Sequence, residues 1–298
     1  MADTFTAVDL SKLPAPSVVE ALDYETIYAD ILADFLEREP DFDATVESDP
    51  AVKLLQVAAL REFTIRARIN DAARAVMVAF AEEGDLDHLA AVFGVERLTL
   101  TPADTINNVA AVMEDDTDLR RRVLLAPEGY SVAGPEGAYI FHALSASSDV
   151  LDASAVETEQ PGEVLVTVLS RNGAGAAAPE LVATVAAYLS DETRRPLTDM
   201  VTVQSAQIVD YAVIATLTTF AGPDSAIVLA ESRARLDAYI AETHRLGRDI
   251  TRAGIIAALY CPGVQNVDLA SPAADIVLDR TQAGNCTGIA IAYAGTGE

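Results

Sequence analysis

The chain has 298 residues and is strongly acidic, with 46 Asp and Glu against 20 Lys and Arg and a formal net charge of −26. This charge repels nucleic acid and anionic membrane surfaces, so neither is an expected partner. The sequence contains no uninterrupted run of about 18 apolar residues, which is the length needed to span a membrane. Asp3 places an acid where a signal peptide carries positive charge. We therefore expect synthesis and retention in the cytosol unless a larger assembly carries the protein out.

The N-terminal fifty residues concentrate the negative charge, with thirteen acids and two bases. Apolar residues at helical spacing nevertheless predict a helix within 18–35. The acids allow two interpretations: they form a solvated helix face, or they form an electrostatic docking site for a basic partner.

A long helix is predicted over 50–83. Asp49 is a good N-cap, Pro50 suits the first helical position, and no Gly or Pro follows until Gly84. At 1.5 Å per residue this helix would be roughly 50 Å long. Steps of ~100° place one apolar stripe on the expected core side. Its members are Leu54, Ala58, Ile65, Ile69, Ala72, Val76 and Phe80.

Other apolar side chains of this helix lie outside the stripe, so it is apolar over more of its circumference than one small core requires. The plain interpretation is a core helix. The alternative is a surface that meets another chain, because exposed apolar patches mark association sites. The candidate assembly surface consists of Val57, Leu60, Arg61 and Arg68.

A short helix closed by Gly94 completes a predicted helical domain over 1–97, and a connector follows over 98–134. The connector contains four acids within 114–118, followed by three arginines at 120–122. These acids do not fit the spacing of a Ca²⁺-binding loop. Acids before a helix and arginines further along it complement the helix dipole, which predicts a structural role.

The remaining chain alternates short helices with strands. The order helix, strand, strand over 138–168 recurs over 253–293, which indicates two related units. We predict an α+β fold in which the all-helical N-terminal domain is followed by two mixed domains with largely antiparallel strands, at 135–207 and 208–298. The strands around Gly173 are expected to form hairpins and not a parallel βαβ series.

Catalytic and cofactor motifs are weak throughout. Gly173-Ala174-Gly175-Ala176-Ala177-Ala178 satisfies a dinucleotide-loop pattern, but Pro179 should start the helix after the motif instead of inside it. His88, His142 and His244 occur singly, without a second ligand at helical spacing. Cys261 and Cys286 are expected to be reduced packing residues. No catalytic residue, cofactor or metal is predicted.

Several segments in order along the chain resemble baseplate assembly protein J, a family of contractile phage tails and tailocins. The similarity covers nearly the whole sequence, which makes it more specific than a single motif. The resembling segments are Leu13–Pro16, Val18–Glu25, Ser48–Gln56, Arg66–Ala73, Gly84–Ala90, Phe93–Arg97, Asp116–Arg122, Ser131–Tyr139, Arg194–Asp199 and Pro262–Val264.

The resemblance implies a structural, non-enzymatic subunit of the baseplate wedge in a virion tail. The family's implied partners are further copies of itself, such as a dimer within a wedge, other wedge proteins, the central spike hub, and sheath or tail-fibre connectors. It implies a ring around the hub that passes the contraction trigger to the sheath. Two alternatives stay open: a nucleotide-binding enzyme using 173–178, and an acidic cytosolic adaptor unrelated to tails.

Overall fold

The computed structural model describes residues 10, 14, 16–43, 46, 48–131, 133–222 and 224–297. The chain divides into two compact units, one grouping 8–97 with 115–120 and the other grouping 98–114 with 121–298. The described helices include none with the length and apolar character needed to cross a bilayer.

Helices and strands are mixed along the chain, and the predicted α+β class is confirmed. The helices are α1 (Tyr24–Arg38), α2 (Pro50–Ala75), α3 (Glu83–Val92), α4 (Asp116–Leu125), α5 (Glu136–Ala146), α6 (Pro179–Leu189), α7 (Ser225–Thr243) and α8 (Arg252–Leu259). The strands are β1 (Thr99–Thr101), β2 (Val112–Met113), β3 (Val150–Glu157), β4 (Glu163–Ser170), β5 (Met200–Ser205), β6 (Gln207–Phe220), β7 (Val264–Ser271) and β8 (Gln282–Gly297).

The long helix begins as predicted, with Asp49 accepting a hydrogen bond from Ala51 N–H, but it ends at Ala75 and not at 83. Its 26 residues span about 39 Å. The guanidinium of Arg120 binds the carbonyls of Val78 and Ala81 at 2.6 and 2.7 Å. These contacts stabilise the turn after α2, and helix propensity is too weak a preference to override them.

The prediction that Gly84 ends a helix is also wrong, because Gly84 lies inside α3. The predicted role of Gly94 is confirmed, since it follows α3 with a φ of +70°. A glycine adopts that left-handed conformation at little cost, which suits the residue just beyond a helix.

The first three-stranded sheet has the order β3-β4-β5. Strands β3 and β4 form the expected antiparallel pair, whereas β4 and β5 run parallel. The hairpin prediction is therefore wrong for β4 and β5. Helix α6 lies between them in sequence, and a crossover of this length lets the chain return in the same direction. The core of this sheet includes Tyr139, Val166 and Val185.

The second sheet has the order β7-β6-β8, with β6 antiparallel to β7 and parallel to β8. The predicted repeat of helix, strand and strand recurs in chain order as α5-β3-β4 and α8-β7-β8. The pairing differs, because β3 and β4 are neighbours while β6 lies between β7 and β8. Helices α7 and α8 supply Leu236 and Ile255 to the core of this sheet.

Asp152 joins these two sheets. Its carboxylate accepts from Leu246 N–H at 2.9 Å and from Arg121 at 2.6 Å, and its side chain is almost fully buried. Leu246 also packs with Leu169 and Ala283 in a small apolar cluster. The two sheets therefore lie in one compact unit, and the division into domains at 135–207 and 208–298 stays a prediction.

Candidate assembly surface

The inner side of α2 is held by a narrow set of contacts with the segment that precedes it. Helix α2 packs against α1, and its buried residues are Val52, Ala59 and Asn70. Asn70 forms two hydrogen bonds with the backbone of Glu20, accepting from its N–H at 3.0 Å and donating to its carbonyl at 2.9 Å. Ala59 is small and the side-chain amide of Asn70 is hydrogen-bonded, so the preceding segment can pack closely against this side of α2 with few large apolar side chains.

Six of the seven residues in the stripe predicted to form the core side of α2 are instead exposed, whereas Phe80 is half-buried and lies beyond the end of α2. The predicted direction was wrong because periodicity identifies an apolar face but does not say which face the neighbouring helix covers. We call this surface the outer stripe. Its exposed residues are Leu54 (71% exposed), Ala58, Ile65 (60%), Ile69 (55%), Ala72 and Val76 (70%).

All four residues of the candidate assembly surface are exposed. Steps of ~100° place Val57, Arg61 and Arg68 close to one another along the edge of the outer stripe, and Leu60 somewhat further round. The stripe and the four residues therefore form one broad exposed face with aliphatic and guanidinium groups. Sequence analysis predicted only the edge of this exposed face, namely the four candidate residues, because it assigned the stripe itself to the core.

The charge of α2 contrasts with the rest of the chain. It contains five basic and two acidic residues, a net charge of +3. Helix α1 contains four acids and one base, a net charge of −3. Arg66 is 2.6 Å from Glu62, whereas Arg61 and Arg68 form no ion pair with the part of the chain that the structure describes. The exposed face of α2 is thus apolar and basic on a strongly acidic protein.

The acidic cluster of the connector is distributed among structural contacts. Helix α4 starts with Asp116 and Asp118, as expected for acids at a helix N-terminus. Asp116 accepts from Arg97 at 2.7 Å and from Glu83 N–H at 3.0 Å. Burial alone would raise the pKa of Asp116, but these two hydrogen bonds hold its pKa below the usual value. The Asp116 carboxylate therefore stabilises contacts within its own compact unit.

Two distant segments of the family resemblance, 131–139 and 194–199, meet in the structure. Tyr139 donates from its hydroxyl to Asp199 Oδ2 at 2.6 Å. Gly134 has a φ of +76°, and a Cβ there would lie 2.8 Å from Asp199 Oδ2 and from Pro196 Cγ. Both segments therefore support the packing of the first sheet, and the sequence offered no signal that they touch.

Two amides of the glycine-rich turn after β4, those of Gly175 and Ala177, donate hydrogen bonds within the chain. Ser170 N–H donates to Gly175 O at 2.7 Å, Gly175 N–H donates to Asn172 O, and Ala177 N–H donates to Ser205 Oγ at 2.8 Å. Helix α6 begins at Pro179, after the motif, as predicted. These contacts make the turn a packed connection between β4 and α6.

Histidine and cysteine side chains are dispersed. His88 is exposed, His142 is buried beside Phe141, and His244 Nδ1 lies 2.6 Å from Gly284 O. Cys261 and Cys286 are free thiols. Across the described residues, no three His, Cys, Asp or Glu side chains are grouped so that they could hold a metal ion.

Sequence reasoning missed a second exposed apolar feature, the hairpin formed by β1 and β2. Ile106 at its tip is 92% exposed. Asp104 shapes the tip by accepting from the N–H groups of Ile106 and Asn107 at 2.9 and 3.1 Å. The available signal was the uncharged run 105–113 within an acidic connector.

Comparisons with known proteins cover the chain from end to end. Residues 47–104 match the Baseplate J-like N-terminal domain, 131–205 the Baseplate J-like central domain, and 211–292 the Baseplate J-like protein C-terminal domain. The chain is 48% identical over 300 residues to Baseplate protein J of Escherichia phage P2, covering 98% of this chain and 99% of that protein. A chain in the cryo-EM structure of the anti-feeding prophage (AFP) baseplate, 6-fold symmetrised, is 15% identical with a TM-score of 0.40, and the match covers 62% of this chain and 43% of that one.

Proposed function

The chain belongs to the baseplate J-like family, and on that premise we propose that it occupies the wedge of the baseplate in a contractile phage tail or tail-like particle. It is a structural subunit of a baseplate. In the proposed arrangement it is made in the host cytoplasm, joins the ring around the central spike hub, and passes the contraction trigger to the sheath. Other wedge proteins, the hub and connectors to the sheath or tail fibres are its proposed partners.

The observation that carries the proposal further is the exposed face of α2. Several large aliphatic side chains are exposed along a helix of about 39 Å. Single exposed apolar residues are normal on a protein surface, but a contiguous exposed apolar face indicates an association site. Burying this face would remove substantial apolar area from water, which favours association. The outer stripe together with Val57, Leu60, Arg61 and Arg68 is the proposed assembly surface.

The proposed occupant of this face is the acidic helix α1 of another copy. Helix α2 carries a net charge of +3 and α1 carries −3. Exposed acids of α1, including Asp30 and Asp34, could approach Arg61 and Arg68 of a second subunit. Complementary charge favours this contact over one between two α2 helices, which would bring arginines together. Repetition of the contact would link copies within the baseplate.

We propose no catalytic role for the chain. The amides of Gly175 and Ala177 in the glycine-rich turn donate within the chain, and Asp116 of the connector accepts from Arg97. Calorimetry with ATP and NAD should therefore show no binding at micromolar concentrations, and elemental analysis should find no stoichiometric metal. Saturable nucleotide binding that is lost on Gly175→Ala would support the enzyme alternative instead. Absence of sheath and tube genes beside this one would support the adaptor alternative.

The double variant Val57→Asp, Leu60→Asp tests the proposed surface. Both side chains are more than half exposed, so the folded chain should keep its melting temperature while self-association measured by light scattering falls. The matched control is Val92→Asp, Ile227→Asp, which alters two exposed aliphatic residues elsewhere by the same charge. Equal association of both variants and wild type would sink the proposal. Unfolding of the first variant alone would assign the face to the protein's own core.

The charge contribution has its own test. Arg61→Glu, Arg68→Glu should weaken association and make it less sensitive to added salt, because salt screens attraction between exposed charges. An unchanged salt dependence would argue against α1 as the occupant.

A further inference from the structure

The chain breaks between α2 and α3 at a place where its own sequence favours a helix. Residues 76–83 contain no glycine or proline, and the methionine, alanines and glutamates among them are good helix formers. Val76, and not a glycine, follows the last residue of α2. Glu82, the residue before α3, makes no capping hydrogen bond through its side chain within the described part of the chain. The local sequence therefore does not account for the break.

The break also carries backbone strain. Glu83, the first residue of α3, has a φ of +47°. A residue with a Cβ is crowded in this left-handed conformation, whereas glycine adopts it at little cost. In a continuous helix Glu83 would have an ordinary right-handed φ. Contacts from elsewhere in the fold must therefore hold the backbone in its strained form.

Arg120 of α4 binds two carbonyls that a continuous helix would use. Its Nε donates to Val78 O at 2.6 Å and its Nη2 donates to Ala81 O at 2.7 Å. In an α-helix each of these carbonyls would accept from the N–H group four residues later. Asp85 N–H, the helical partner of Ala81 O, instead donates to Glu82 O at 3.1 Å.

Asp116 of α4 binds a third group of the break. Glu83 N–H donates to Asp116 Oδ2 at 3.0 Å, whereas a continuous helix would direct it to the carbonyl of residue 79. The other oxygen of Asp116 accepts from Arg97 Nη2 at 2.7 Å, which fixes the carboxylate. Asp116 and Arg120 are four residues apart, so they lie on one face of α4. We call these two residues the clamp.

We propose that residues 76–83 are a helix-extension switch, in which release of the clamp joins α2 and α3 into one helix over 50–92. At 1.5 Å per residue that helix is about 65 Å long. It contains no left-handed residue, and it returns the N–H groups near the break to helical hydrogen bonds. Phe80 would then lie four residues after the exposed Val76 on the same face, which lengthens the outer stripe.

The two states of the switch are stabilised by different contacts. The clamped state keeps the hydrogen bonds of Asp116 and Arg120 and the burial of Leu86 and Ala90 in α3. The joined state gains helical hydrogen bonds and lacks the strain at Glu83. Elements with two discrete arrangements of this kind switch between them instead of deforming continuously.

Helix α4 is placed in the chain to control the clamp. Residues 115–120 group with the helical unit, whereas 121–298 group with the other compact unit. Within that second unit Arg121 Nη2 donates to Asp152 at 2.6 Å. A force on the second unit therefore reaches the clamp along one continuous helix. The switch is a property of the isolated chain and does not depend on the proposed function.

Two substitutions at Glu83 test the switch, because this side chain is exposed and the two differ mainly in backbone preference. Glu83→Ala disfavours the left-handed conformation, Glu83→Gly permits it, and both remove the same carboxylate. Each is made in the full chain, alone and with the clamp removed by Asp116→Ala, Arg120→Ala.

Hydrogen exchange of the amides at 82–85 is the first measurement. Without the clamp, and after correction for intrinsic rates, exchange should be roughly tenfold slower in the Glu83→Ala chain than in the Glu83→Gly chain, because only the former favours a helix there. Equally fast exchange in both chains would overturn the proposal, because it would show that removing the clamp unfolds the segment.

Spin labels measure the joining directly. Asp71→Cys and Val92→Cys carry the labels in a Cys286→Ser background, since both positions are exposed and Cys261 is buried. Dilution with unlabelled chain removes distances between copies. In the joined helix the two labelled Cα atoms lie about 32 Å apart.

Double electron–electron resonance should show a narrow peak near this distance for Glu83→Ala without the clamp. Glu83→Gly with the clamp supplies the reference distribution of the broken state, in which the narrow peak should be missing. The same distribution in all four chains would overturn the proposal, because the helices would then keep one arrangement whether or not the clamp is present.

Discussion

Arg122 donates from Nη1 to Glu114 Oε2 at 2.7 Å, and both side chains are buried. The same carboxylate oxygen accepts from Leu98 N–H at 3.1 Å. Glu114 N–H in turn donates to Leu98 O at 2.8 Å. One ion pair therefore fixes both ends of the β1–β2 hairpin to the second half of α4.

Removal of one partner of this pair should be costly. Arg122→Met leaves the Glu114 charge buried without its cation, and we expect a loss of about 3–5 kcal/mol in the free energy of unfolding. Urea denaturation measures it. The double variant Arg122→Met, Glu114→Leu should regain much of the loss, because it removes the buried Glu114 carboxylate together with its cation. A single variant that loses less than about 1 kcal/mol would contradict a structural role for the pair.

Tyr139→Phe should destabilise the first sheet through one lost hydrogen bond. A hydrogen bond to a charged group contributes about 1.5–3 kcal/mol to the free energy of unfolding, so the melting temperature should fall. Burial, and then the bond to Asp199, raises the pKa of Tyr139 above its usual value, so the hydroxyl stays protonated at neutral pH. Tyr260→Phe, at a half-exposed position, is the control. Equal stability of the two variants would argue that the bond to Asp199 contributes nothing.

Stability should fall in mild acid because of His142. Burial, and to a smaller extent Arg194, lowers the pKa of this histidine from its usual 6.5. The unfolded chain keeps the usual pKa and so binds a proton more readily. The stability from the neutral ring is present above pH 6.5 and is lost as the pH falls through the lowered value.

The measurement compares the free energy of unfolding at about pH 8 and about pH 5.5. His142→Phe should lose less stability over this interval than wild type, whereas His88→Gln, at an exposed histidine, should behave as wild type. Parallel pH profiles for wild type and His142→Phe would assign the acid sensitivity to other groups.

The sequence predicted helices and strands well where a local signal was strong. Asp49 with Pro50 located the start of α2, and Gly94 the end of α3. It could not predict the end of α2, which depends on Arg120 reaching back from a distant helix. The sequence also could not predict which face of α2 is buried. Periodicity identifies the apolar face, whereas the contact between Asn70 and Glu20 places the preceding segment on the opposite face.

The domain boundary at 135 is open to a direct test. Leu125 is buried in the core of the first sheet, and Arg121 binds Asp152. We therefore expect the fragment 121–298 to fold with a higher melting temperature than 135–298. A broad-specificity protease should cut the full chain first near the exposed Ile106. Equal melting of the two fragments would support the boundary at 135.

Incorporation into particles tests the role of the α2 face most directly. The chain would be produced as Val57→Asp, Leu60→Asp in cells that make its contractile particle, beside the Val92→Asp, Ile227→Asp control, and purified particles would be analysed by quantitative mass spectrometry. We predict that the first variant folds but is absent from particles, whereas the control is incorporated at the wild-type level. Equal incorporation of both variants would contradict assembly through α2.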